Sequence, residues 1–231
     1  MSLTIRLLMA GFLAMSASLF ARTTQEKERS ITKESWRTEP VKIKVIKVKG
    51  KPVGFNQKFA EGDDWLKGIT INVENISKKP ILYIRVEILF RRPQGVKNSE
   101  QTPNYLHPLF YGEIPPPGEL THSDGRKQLM PGESVDLALP ENEHLSIKTT
   151  LEYLGYPAEL TKVTLAIGDV VFDDGTKWSG DFILHRDPNN PNKWNVVENL
   201  SKPAPDSDKR QEDVPVPGLS FVPANFRLKK L

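Results

Sequence analysis

The sequence predicts an all-β chain, an antiparallel β-sandwich of about seven short strands with one short helix in a crossover. Two positive signals carry this. Apolar residues recur at every second position in segment after segment, and the breaks between segments hold Asn, Pro-Gly and Asp-Gly turn chemistry. A third observation is an exclusion: strands never alternate with long helical periods, which removes the parallel α/β folds. The 231 residues include no cysteine, so stability has to come from a packed core rather than from disulfides.

The folded region is expected over residues 41–198. In its first strand Val41, Ile43 and Val45 occupy odd positions, then Ile46 and Val48 even ones. Such a phase change inside a strand predicts an inserted residue, a bulge, at Val45/Ile46. Ile69, Ile71 and Val73 form a second strand, closed by the turn Asn75-Ile76-Ser77-Lys78-Lys79-Pro80. A third strand, 81–90, places Leu82, Ile84, Val86, Ile88 and Phe90 on one face and Tyr83, Arg85 and Glu87 on a wetter one. Met130-Pro131-Gly132-Glu133 then reads as a Pro-Gly turn into Val135, Leu137 and Leu139.

Ile147, Leu151 and Leu154 have helical spacing, with Ser146 as N-cap and Gly155 as left-handed terminator. Val163, Leu165 and Ile167 resume alternation, and the phase changes at Gly168 before Val170 and Phe172, a second expected bulge. Asp173-Asp174-Gly175 predicts a tight hairpin with positive φ at both central residues. The returning strand carries Trp178, Phe182 and Leu184 on one face, and Trp194 follows an exit loop.

Outside this region the composition changes. Residues 1–21 combine Arg6, an uncharged apolar run and small residues at 16–18, which reads as a secretory signal peptide. The run is shorter than a bilayer span requires, so the mature chain is expected to lack a transmembrane segment, with a retained anchor over residues 1–21 as the alternative. Residues 22–40 read as a polar linker and 199–231 as a proline-rich extended tail. Loss of the leader removes Arg6 alone, which lowers the net charge from +3 to +2. That balance supplies no field for nucleic acid. An exported chain without disulfides points to a bacterial periplasmic or secreted protein, and a monomer is expected.

Catalytic and metal patterns are sparse. Ser179, Asp181 and His185 share a face if they lie on one strand, but Ser179 and His185 would then be roughly 20 Å apart, too far for a relay. His107, His122, His144 and His185 have no metal-site spacing, and the acidic pairs near Asp173 lack the ligand alternation of a calcium loop. No cofactor or metal is expected. Lys42, Lys44, Lys47, Lys49 and Lys51 read as a guard against edge-to-edge pairing.

One segment departs from these patterns. Residues 93–127 are long for a loop, yet they hold Tyr105, His107, Phe110 and Tyr111 ahead of Pro115-Pro116-Pro117. Aromatics among prolines suit either a lid packed on the sandwich or a recognition surface. Tyr105, His107, Phe110, Tyr111 and the unphased Trp194 are therefore the candidate binding residues.

The stretch 69–88 resembles the start of FxLYD-type immunoglobulin-like domains of exported bacterial proteins. There a strand ending in an Asn turn, here Val73-Glu74-Asn75, feeds a long strand of alternating aliphatics. The chain departs from that family at Arg91-Arg92, where the family carries an acidic residue. The resemblance implies an immunoglobulin-like form of the sandwich and no chemistry. The expected function is a non-enzymatic binding or structural module of the cell envelope, with a protein or envelope component as partner. The alternative is an envelope-polymer hydrolase whose carboxylates converge only in three dimensions.

Overall fold

The structure is a computed structural model that describes residues 26–92, 103–114, 127–190 and 192–200. The leader and residues 201–231 lie outside the described residues, as do Pro115-Pro116-Pro117 and His122. The described chain is mostly β. In chain order its strands are β1 (Lys27–Lys33), β2 (Val41–Val48), β3 (Lys51–Val53), β4 (Lys58–Glu61), β5 (Thr70–Asn75) and β6 (Ile81–Phe90). Next come β7 (Tyr105–Gly112), β8 (Ser134–Ala138), the helix α1 (Glu141–Tyr153), β9 (Lys162–Phe172), β10 (Thr176–Ser179), β11 (Phe182–Arg186) and β12 (Trp194–Asn199).

The strands form two sheets. Sheet B has four strands in the order β3-β2-β5-β8, all antiparallel. Sheet A has eight and is organised around β9. One edge of β9 pairs with β6, which in turn pairs with β7. Its other edge is divided: β1 pairs with it in parallel over 162–165, and β10 pairs antiparallel over 169–171. Beyond β10 lie β11 and β12, and beyond β1 lies β4. Inward residues of both sheets enter one core, among them Val41, Ile46, Ile71, Val73, Ile84, Val86, Leu165, Ile167 and Val170, joined by Ile147 and Leu151 of α1.

Twelve strands among the described residues exceed the seven expected, and the extra ones are instructive. Within the expected linker 22–40, residues 27–33 form β1. Ile31 is fully buried, and so is Arg29, whose guanidinium donates to the Leu160 carbonyl at 2.7 Å and to Asp63 at 2.9 Å. A buried Arg is tolerated when distant acceptors satisfy it, and those acceptors are invisible to a local hydropathy count. Likewise 105–112, expected within a long loop, is β7, aligned with β6 from Phe90↔Tyr105 to Tyr83↔Gly112. Pro108 fits because β7 is an edge strand, where a missing N–H costs no ladder bond.

Both expected bulges exist. In β2 the register shifts between Ile43 and Val45, so Lys44 rather than Val45/Ile46 is the inserted residue. In β9 the pair Ile84↔Val170 is followed by Val86↔Ile167, so Gly168 and Asp169 oppose the single Arg85. The lysines of β2 do not guard an edge along the whole strand. β5 pairs the length of β2 and β3 covers Ile46–Val48, so they lie on the outer face of sheet B.

The hairpins differ from expectation in a useful way. The turn after β9 has three residues, 173–175; the Gly175 N–H bonds to the Phe172 carbonyl, and Gly175 alone has positive φ. That is a type I turn closed by a left-handed glycine, not the two-residue form. The two-residue turn comes next, at Gly180-Asp181, with φ of 49° and 67° between the paired residues Ser179 and Phe182. It divides what the sequence reads as one strand into β10 and β11. Trp178 therefore shares its face with Ile183, not with Phe182 and Leu184, and Ser179 and His185 lie on different strands.

The helix begins at Glu141, five residues before the predicted cap, because His144 joins Ile147 and Leu151 on its buried stripe. Its end agrees with expectation: Gly155 has φ 77°, and the Tyr156 N–H reaches back to the Leu151 carbonyl. No helix among the described residues is long and apolar enough to cross a membrane.

Candidate functional site

Directly opposed residues of an antiparallel pair share a face, so the register assigns each candidate residue. On β7, Tyr105, His107, Leu109 and Tyr111 oppose Phe90, Ile88, Val86 and Ile84 and face inward. Tyr105 packs beside Phe90 with ring centroids 5.6 Å apart, and its N–H donates to the Tyr156 hydroxyl. That hydroxyl lies 2.8 Å from the Phe90 carbonyl and 2.7 Å from the Pro103 carbonyl, two acceptors for its single proton. His107 Nε2 lies 3.0 Å from a Glu143 carboxylate oxygen on α1. Tyr111 is buried beside the start of β8. These three residues tie β7 to the core and the helix.

Phe110 and Trp194 differ from them, because both lie on the outer face of sheet A. Phe110 opposes Arg85, is 54% exposed, and stacks on Tyr83 at 5.8 Å between centroids. Trp194 opposes Arg186 on β12. The guanidinium carbon of Arg186 lies 5.0 Å from its ring centroid and Lys177 Nζ 4.9 Å from it, within cation–π range. Five strand intervals separate β7 from β12, on the order of 24 Å at ordinary spacing.

Between these aromatics lies a charged strip. Arg85 Nη2 is 3.0 Å from Asp169, and its Nε is 3.1 Å from Glu87 without the alignment of a hydrogen bond. Lys177 Nζ stands 3.9 Å from the other Asp169 oxygen. The β9 bulge makes room for this strip. A Cβ at Gly168 would come within 2.6 Å of both Arg85 Nε and Glu87 Oε1.

The strip is poorly solvated for an outer face, and the titrating groups register it. Burial raises the Glu87 carboxyl pKa, with Arg85 opposing and Asp169 assisting. Burial also lowers the Lys177 ammonium pKa against the attraction of Asp169, and it pushes the Tyr83 phenol up to about 12. The arrangement offers aromatic faces at two ends and fixed charges of both signs between them. It suits contact with an extended partner rather than enclosure of a small molecule.

Sequence reasoning singled out Phe110 and Trp194 but not Tyr83, Arg85, Asp169 or Lys177. The alternation of β6 did mark Tyr83, Arg85 and Glu87 as one outward row; what it could not supply was the neighbour strands that complete the surface. Among the described residues no group of three or more His, Asp or Glu side chains is placed to hold a metal ion. Comparison with protein-family models, curated proteins and solved structures finds no match to this chain.

Proposed function

We propose that the chain is an exported, non-enzymatic binding or structural module of a bacterial cell envelope, built on an immunoglobulin-like β-sandwich and engaging its partner through the outer face of sheet A. The observation that carries this reading is the composition of that face. An outer sheet face in water is ordinarily polar, yet Phe110 and Val196 are more than half exposed there, beside Tyr83, Leu184 and Trp194. Exposed apolar side chains at both ends of a charged strip offer a partner apolar anchors with fixed charge between them.

The test is co-sedimentation of the chain from residue 22 with isolated cell-envelope material. The wild type should sediment with it. Trp194→Ala and Phe110→Ala should each weaken capture by more than about 1 kcal/mol, as hot-spot aromatics do, with little change in unfolding midpoint. Variants that sediment like the wild type would refute the assignment of this face. The compartment is tested separately: residues 1–21 should export a reporter that is active only outside the cytosol.

One observation favours the hydrolase alternative. Two carboxyl groups, Glu87 and Asp169, converge on Arg85, and burial raises the Glu87 pKa against the attraction of that guanidinium. Release of soluble fragments from the envelope material by the wild type, abolished by Glu87→Gln, would favour that reading over the non-enzymatic one.

A further inference from the structure

A second candidate surface lies away from the outer face of sheet A and does not depend on it. At the end of β7 the chain approaches the corner where 127–135 passes from sheet A to sheet B. Leu129 bridges to Ile81 of sheet A, Met130-Pro131-Gly132-Glu133 turns, and β8 joins sheet B. A cleft of about 330 Å³ opens there, lined by Tyr111, Lys127, Gln128, Leu129, Glu133, Ser134 and Val135. Its volume falls at the lower end of small-molecule sites.

Tyr111 is the unusual member. The residue is 95% buried, at 5% exposure, and its hydroxyl has no hydrogen-bond partner among the described residues. A phenylalanine would fill the same space without desolvating a hydroxyl, and native structures rarely leave such a group unsatisfied. Burial and the nearby Glu133 charge both raise the phenol pKa, so at neutral pH it remains a hydrogen-bond donor in search of an acceptor.

The other polar groups are of opposite charge. Lys127 Nζ lies 5.7 Å from the Tyr111 ring centroid. Glu133 also lines the cleft, oriented by the Met130 N–H, which donates to Oε2 at 2.9 Å; Oε1 has no hydrogen-bond partner among the described residues. Leu129 and Val135 supply apolar wall. A ligand complementary to this set carries an acceptor anion toward Tyr111 and Lys127 and a cation toward Glu133. The geometry points to a binding site for a small zwitterion of amino-acid or dipeptide size, its carboxylate held by the Tyr111 hydroxyl and Lys127 and its ammonium by Glu133.

Calorimetric titration of the full chain with alanyl-alanine tests this, alongside N-acetyl-alanyl-alanine and alanyl-alanine amide, which lack one charge each. Saturable one-to-one binding of the free dipeptide is expected, at least tenfold tighter than either blocked form. Tyr111→Phe should keep or raise the unfolding midpoint, because it removes only an unsatisfied hydroxyl, and weaken the free dipeptide at least fivefold. Glu133→Gln should weaken the free dipeptide but not the acetylated one. Absence of saturable binding to the wild type, equal binding of the blocked forms, or undiminished binding by the Tyr111→Phe protein would each overturn the proposal.

Discussion

The outer face of sheet B and the outer face of sheet A belong to one folded unit and are built on opposite plans. On sheet B, Lys42 opposes Glu74, which opposes Ser134, and Asn72 donates to Asp136 across the next pair. Lys44 pairs with Glu74 at 3.3 Å in the open. The side chains are short or freely solvated, as expected for a sheet face in contact with water. On sheet A the corresponding rows hold Tyr83, Phe110, Leu184 and Trp194, and the charges among them are half-buried and paired. The inner faces do not differ in this way, since both consist of aliphatic residues in one core. Folding requires the inner faces; the contrast between the outer ones is what the proposed binding face rests on.

The largest expected effect tests how the edge of sheet A is attached. A Cβ at Gly112 would lie 1.9 Å from the Leu82 carbonyl oxygen, at φ 67°. Gly112→Ala should therefore cost about 3–5 kcal/mol, combining a left-handed backbone with an immovable clash. Gly132, at the corner leading into sheet B, has comparable φ but open space, so Gly132→Ala should cost only about 1–2 kcal/mol. Denaturant midpoints of the two variants compare them directly.

The next test asks whether the sheets share a core. Ile71 of sheet B and Leu165 of sheet A are both fully buried. Ile71→Ala and Leu165→Ala should each lose roughly 2–4 kcal/mol by transfer and cavity terms, in a single cooperative transition. Two separate transitions would mean that the sheets fold independently.

A smaller effect probes the charged strip. Because burial raises the Glu87 pKa in the folded chain, the folded state holds that proton to higher pH than the unfolded state. Its contribution to stability is complete below the ordinary value of 4.5 and is lost as pH rises through the folded value. Wild-type stability should carry this downward slope and Glu87→Gln should lack it, as unfolding measured at several pH values would show.

The smallest effect is expected on sheet B. Lys42→Ala and Lys47→Ala should change stability by less than about 0.5 kcal/mol and leave envelope capture unaltered. Loss of capture in these variants would move the binding face from one sheet to the other.

How much of this was legible in the chain depends on where each determinant resides. Alternation marked the inward rows of β2, β5, β6 and β9, and its phase changes marked both bulges, because a residue inserted in a strand leaves its trace in the adjacent residues. Gly155 ended the helix and Pro131-Gly132 made the corner for the same reason: backbone conformations with positive φ are chosen by single residues. Ser-Gly-Asp at 179–181 carries an equally local signal for a two-residue hairpin, masked by apolar residues at 178, 182 and 184 that keep a false period across the turn.

Other features required the folded chain. Residues 27–33 look too polar to form a strand until the Leu160 carbonyl, Asp63 and β9 arrive to satisfy Arg29 and cover Ile31. Tyr105 to Tyr111 look like loop aromatics until β6 supplies the register that turns three of the four candidates inward and leaves Phe110 outside. The sequence by itself determined strand periodicity, bulges and most turns, since these depend on neighbouring residues along the backbone. Tertiary structure decided which strands pair, which polar groups are buried and which aromatics share a face, because those outcomes depend on partners outside the local stretch of chain, from the neighbouring strand β6 to a Leu160 carbonyl 131 residues from Arg29, whose arrival changes the solvation of a side chain without changing its sequence context.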